Sequence, residues 1–150
     1  MFVPLFALAC QSSEGVDHVD HSFKDQGRVC AFPAGTDPGN AFLSPTTSVA
    51  FQADSSATIT VMAPTCLSSS CSKDAKAECS VALNGNVLQI TSTASFRTEG
   101  NVCTDDCGAL VARCTTPPLP AGTYFLQHGA DRIVLMVPSS GPAPCAGKAP

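Results

Sequence analysis

The residues best equipped for chemistry in this 150-residue chain are its nine cysteines, Cys10, Cys30, Cys66, Cys71, Cys79, Cys103, Cys107, Cys114 and Cys145. Thiols can ligate metal, exchange disulfides or pair off. Cys66-x4-Cys71 and Cys103-x3-Cys107 come near zinc-ligand spacing, and Cys79 and Cys114 could complete such a site. Redox catalysis favours Cys-x-x-Cys at a helix N-terminus, where the thiolate is stabilised, and neither feature is present. Pairing is the expected outcome. An odd cysteine count leaves one thiol to explain. If Cys10 is set aside, Cys30, Cys66, Cys71, Cys79, Cys103, Cys107, Cys114 and Cys145 form an even set sufficient for four disulfides. Eight cysteines allow about 105 connectivities, so the pairing stays open. Cys145, in a Pro/Gly-rich tail, is expected to tie that tail back.

The remaining reactive residues are sparse. Asp17-His18 and Asp20-His21 repeat at a spacing of three, which one helical turn would gather on one side as a weak metal site. In a polar segment the simpler reading is a solvated tether. Asp105-Asp106 has the charge to help hold calcium, though such pairs in loops are usually solvated. His128 lies in Leu126-Gln127-His128-Gly129-Ala130-Asp131, which reads as a hairpin turn. No Gly-x-Ser-x-Gly or His-Glu-x-x-His motif occurs. No catalytic residue, metal site or cofactor is expected, and the chain reads as a non-enzyme.

The setting for the cysteines comes from the first residues. Phe2–Ala9 is apolar and ends on a small residue, as a signal-peptide core does. Phe6-Ala7-Leu8-Ala9-Cys10 resembles a bacterial lipobox, in which the cysteine becomes a lipidated N-terminus. That resemblance implies lipid attachment at Cys10, and Gln11 after it favours the outer membrane. The expected organisation is a signal peptide over 1–9, a lipid-anchor cysteine and polar tether over 10–27, and one folded domain over 28–150. No apolar run approaches the ~20 residues that cross a bilayer as a helix. The formal net charge of −4, with basic residues scattered singly, argues against a nucleic-acid partner.

What must position the cysteines is a set of short strands. Only 13 % of residues are charged, while Gly, Pro, Ser and Thr abound. Arg28–Phe32 is a short strand stopped by Pro33. Val49 and Phe51 share a face in Ser48–Ala53. Ala57, Ile59, Val61 and Ala63 alternate with Thr58, Thr60 and Met62. Asn84-Gly85 predicts a type I′ hairpin turn pairing Leu83 with Asn86, Val81 with Leu88, and Cys79 with Ile90. This places Cys79, Val81, Leu83, Leu88, Ile90, Ser92, Ala94 and Phe96 on one face, with Cys79 directed into the core. Leu110, Ala112 and Cys114 make another apolar face. A Pro-rich break precedes Gly122–Gln127, and Ile133–Val137 reads as covered on both sides. No segment keeps a 3.6-residue apolar period. About eight strands with intervening turns predict an all-β, disulfide-stabilised antiparallel β-sandwich.

Leu119-Pro120-Ala121-Gly122-Thr123-Tyr124 resembles the approach to a late strand in immunoglobulin-like domains, where a corner tyrosine bonds nearby backbone. Tyr124 is the only tyrosine, and the Cys–Trp–Cys pattern of antibody domains is absent because there is no Trp. The run Cys66…Cys71…Cys79, Cys103…Cys107-Gly108…Cys114, Leu119–Tyr124 and His128-Gly129 is similar to small cysteine-rich lipoproteins of myxobacteria and their relatives over about residues 60–138. That resemblance brings no biochemical activity. Together these features imply an exported structural or binding module of the cell envelope, lipid-anchored at the outer membrane or cell surface. Its expected partners are the membrane, through Cys10, and an envelope protein or glycan met by the turn loops 35–47, 64–78 and 98–108. The alternative is a periplasmic or secreted, non-lipidated ligand-binding or inhibitor protein.

Overall fold

The computed structural model describes residues 17–36, 48–148 and 150, and among them there are strands and no helix. The strands are β1 (His18–Lys24), β2 (Arg28–Pro33), β3 (Ser48–Phe51), β4 (Ala57–Leu67), β5 (Ser72–Asn84), β6 (Val87–Glu99), β7 (Gly108–Thr115), β8 (Gly122–His128), β9 (Asp131–Val137), β10 (Ser139–Pro142) and β11 (Cys145–Ala146). They form a β-sandwich. One sheet is built on β6, with β5 along one edge and both β1 and β8 along the other, β9 continuing from β8. The facing sheet runs β11-β2-β4-β7, and β3 pairs with β10 in a separate ribbon. Every ladder is antiparallel except β6–β8, which runs parallel from Val87↔Phe125 to Ile90↔His128.

The β5–β6 hairpin shows how alternation chooses faces. Its turn falls on Gly85-Asn86, one residue later than expected, with Gly85 at φ +61° and Asn84 opposite Val87. Glycine takes that backbone without a Cβ penalty. Pairings shift with the turn, so Val81 meets Ile90 and Cys79 meets Ser92. The shift moves each partner by two residues, which keeps every side chain on its expected face. Leu88 and Ile90 are fully buried, and Val81, Leu83 and Cys79 pack against them. Across the sandwich they meet Val29, Ala31, Ile59, Val61 and Ala112, while Tyr124, Leu126, Ile133 and Leu135 complete the same core. A smaller core of Ala63, Phe96 and Leu110 lies toward the other end, covered partly by Phe23 of β1.

Three expectations are corrected. Residues 18–24, read as part of the 10–27 tether, form β1 and pair with β6 from His18↔Glu99 to Lys24↔Thr93. The segment is too polar to read as a strand because only His21 and Phe23 turn inward. Strand geometry also separates His18 from His21, since residues three apart point to opposite faces. Second, β9 is covered on one side only: Ile133, Leu135 and Val137 are buried, whereas Val134 and Met136 are 53 % and 58 % exposed. It is β4, between β2 and β7, that is buried on both faces from Ile59 to Ala63. Third, the loop expected over 64–78 narrows to residues 68–71, because β4 runs on to Leu67 and β5 starts at Ser72.

That early part of β5 is exposed and charged, with Lys73, Asp74, Lys76 and Glu78, and its register shifts between Lys73 and Lys76. Charge and irregularity of this kind keep a sheet edge from pairing with another chain. Asp74, at φ +54°, reaches back to Arg97 at 2.9 Å.

Candidate functional site

All eight cysteines from Cys30 to Cys145 are bonded: Cys30–Cys145, Cys66–Cys107, Cys71–Cys103 and Cys79–Cys114. Cys30 lies directly opposite Cys145 in the β2–β11 ladder, so the tail is held to the second sheet. Cys79–Cys114 crosses the sandwich from β5 to β7, as the inward direction of Cys79 requires. Sulfurs bonded in pairs have no thiolate to offer zinc, and the near-zinc spacing of Cys66-x4-Cys71 and Cys103-x3-Cys107 reflects two nested bridges. Cys10 lies outside the described residues, as do positions 37–47 of the first expected loop.

The nested bridges brace two short segments against each other, 68–70 and 104–106. Thr104 N donates to Ser70 Oγ at 2.9 Å, and the Ser68 and Thr104 hydroxyls lie 2.9 Å apart. Ser69 N donates to Asp106 at 3.1 Å to one carboxylate oxygen and 3.2 Å to the other, and the Thr104 hydroxyl donates to Asp106 as well. The Thr104 hydroxyl, with help from Ser69 N, holds the Asp106 carboxyl below its ordinary pKa. Asp106 is therefore committed to organising the loop, and the described residues contain no group of three potential metal ligands. The result is an exposed, hydroxyl-rich head on a covalent frame.

A second polar group sits inside the protein. His128 closes β8, and its Nε2 lies 2.8 Å from Ser92 Oγ, with His128 only 1 % and Ser92 only 6 % exposed. Ser92 N also donates to Asp25 Oδ1 at 2.8 Å, and Asp25 N donates to Ser92 O at 3.0 Å. His128 Nδ1 is buried and meets no partner among the described residues. A serine bonded to an imidazole is the pairing that activates a nucleophile, but that chemistry needs substrate access and a group orienting the second ring nitrogen. Here both residues are buried, and among the described residues Nδ1 has no such partner. Burial pushes the His128 pKa down, against the opposing pull of Asp25 and Asp131.

The chain matches no protein-family model, no curated protein and no solved structure.

Two further features lie at the surface. A cleft of about 240 Å³ lies between Pro33, Phe51, Ala57, Leu119 and Val137, and none of its described lining residues is titratable. On the outer face of β8 and β9, the Arg132 guanidinium stacks 4.0 Å from the centre of the Phe125 ring. Sequence reasoning placed His128 at a hairpin turn, and the structure agrees, since Gly129 and Ala130 join β8 to β9. It did not bring Asp25 or Ser92 to that histidine. The available signal was Ser92 itself, a polar residue on a face otherwise built from Leu88, Ile90 and Phe96.

Proposed function

We propose that this chain is an exported, lipid-anchored module of the bacterial cell envelope, with a structural or binding role and attachment through Cys10 at the outer membrane or cell surface. The observation that carries the reading is the closed set of four disulfides. Bridges of this density persist in oxidising compartments and are rare in the cytosol. They use every cysteine from Cys30 to Cys145, so no cysteine of the chain remains to pair with Cys10. That thiol stands at the end of an apolar segment resembling a lipobox, where a lipid would take it up.

An anchor at Cys10 would hold the sandwich close to the bilayer. Only residues 11–17 separate it from β1. A fully extended segment of that length spans at most about 25 Å. The braced head formed by 68–70 and 104–106 is the recognition surface in this reading, and an envelope protein or glycan is its partner. Its hydroxyls and the Asp106 carboxylate are held in place before a ligand arrives, which lowers the ordering cost of binding. The immunoglobulin-like resemblance belongs with this proposal as a supporting likeness. The Tyr124 hydroxyl donates to Pro120 O at 2.9 Å, the bond that a corner tyrosine makes.

The test is expression of the full chain in a bacterial host with lipoprotein processing, followed by mass analysis of the N-terminal peptide and detergent-phase partition. The expected result is cleavage before Cys10, a lipid-sized mass increase on it, and loss of detergent partition in Cys10→Ser. An uncut chain with an unmodified Cys10 overturns the anchor. A cleaved, lipid-free protein in the aqueous phase supports the secreted alternative.

A further inference from the structure

The strongest unassigned feature is the place where two strands meet end to end along one edge of β6. β1 leaves that edge at Lys24↔Thr93, and β8 leaves it at Ile90↔His128. Only Thr91 and Ser92 lie between. Ser92 holds both strands, its backbone through reciprocal bonds with Asp25 and its side chain through His128 Nε2. The contact is close: a Cβ added at Gly129 would collide with the Asp25 carbonyl oxygen, and Asp25 itself takes a φ of +50°.

We propose that Ser92, His128 and Asp25 form an acid-sensitive latch that fastens the end of β1 to the sheet, so that mild acid frees β1 while the rest of the sandwich stays folded. The unaccompanied Nδ1 provides the chemistry. With the proton on Nε2, neutral His128 donates to Ser92 Oγ and leaves Nδ1 as a bare lone pair, the less costly kind of unmet group. A second proton makes Nδ1 a buried N–H donor with no acceptor among the described residues. The charged groups acting on the ring are Asp25 from the end of β1 and Asp131 from the start of β9, while β6 contributes only the Ser92 hydroxyl. Asp25, whose Oδ1 accepts from Ser92 N, answers the cation by turning toward the ring, and water answers it by entering the junction. Either response unfastens β1.

β1 is also an edge strand, held to β6 by its ladder, by the His21 stack on Phe96 and hydrogen bond to Thr98, and by the packing of Phe23. Among the described residues it pairs on one side only, with β6, and five of its seven residues are exposed. The body behind it is bonded by four disulfides. Opening an edge strand of this kind costs less than opening the bridged strands behind it, so β1 can loosen while the body stays folded.

Amide hydrogen exchange read by mass spectrometry on the full chain tests this, at pH 7.5 and 5.0 with intrinsic rates corrected. If the freed imidazole titrates near its ordinary 6.5, opening of residues 18–25 should increase by up to about 30-fold at pH 5.0. β2 and β4 should keep their protection. His128→Gln should abolish the difference, and His21→Gln, which removes a histidine of β1 itself, should retain it. Equal protection of β1 at both pH values, loosening of all strands together, or an unchanged response in His128→Gln each overturns the latch. Should His128→Gln fail to fold, histidine NMR on the wild type decides. The midpoint of β1 opening must follow the His128 resonances, and a midpoint that follows His18 or His21 overturns it.

Discussion

The hydroxyl of Tyr124 donates to the carbonyl oxygen of Pro120, four residues upstream, at 2.9 Å. Tyr124 is 7 % exposed and belongs to the main core. The bond pins the Pro-rich approach to β8, which is also held where Leu119 exchanges backbone hydrogen bonds with Asp54 and Ser55. Tyr124→Phe keeps the ring and loses only this bond, so it should destabilise the protein by about 1 kcal/mol. A lower denaturant midpoint with an unchanged slope is the expected signature.

The bridges should differ in weight. Replacing Cys79 and Cys114 together by Ala removes the bond between the sheets and should cost roughly 2–4 kcal/mol. Replacing Cys66 and Cys107 should cost less, because Cys71–Cys103 already keeps the same two segments together. Denaturation midpoints of the two double variants, compared under non-reducing conditions, check the order.

β9 offers a test of one-sided burial within neighbouring residues. Leu135 is 1 % exposed in the main core and Val134 is 53 % exposed. Leu135→Ala should cost about 2–5 kcal/mol through lost burial and the cavity left behind. Val134→Ala should stay within about 0.5 kcal/mol. Similar losses at both positions would mean that β9 is covered on both faces.

Stability should fall on mild acidification. Burial holds His128 below its ordinary pKa of 6.5, so the unfolded chain takes up a proton that the folded chain refuses. The group is silent well above pH 6.5, and stability declines as pH drops below that value. Asp106, held below 3.8 by Thr104 and Ser69, acts in the same direction further down, with stability lost as its carboxylate is protonated. Thermal midpoints recorded from pH 8 to 4.5 should show the first decline in wild type and a flatter profile in His128→Gln.

The fold was legible wherever one face of a strand is uniformly apolar. Leu88 and Ile90, Ile59 and Val61, and Leu110 and Ala112 all fall on the core as their alternation requires. The hairpin turn was misplaced by one residue, and the faces survived because the error moved each pairing by two. β1 was illegible because strand status there depends on the partner edge of β6, and its own sequence shows only His21 and Phe23 turned inward. Val134 and Met136 misled in the opposite sense, since an apolar run says nothing about which side a neighbouring sheet occupies. The Ser92–His128 contact joins residues 36 apart along the chain, and no local pattern encodes such a meeting. The bridge pattern is non-local in the same way.

The bond between Cys30 and Cys145 has a separate consequence when the chain meets a protease. It spans 115 residues and makes a covalent ring of the chain from β2 to β11. A protease that nicks any loop between those positions opens the ring without releasing a fragment. The severed strands stay in register and at high local concentration, so one cut need not become a loss of the protein. Damage of that kind accumulates silently and is revealed only when a reductant arrives.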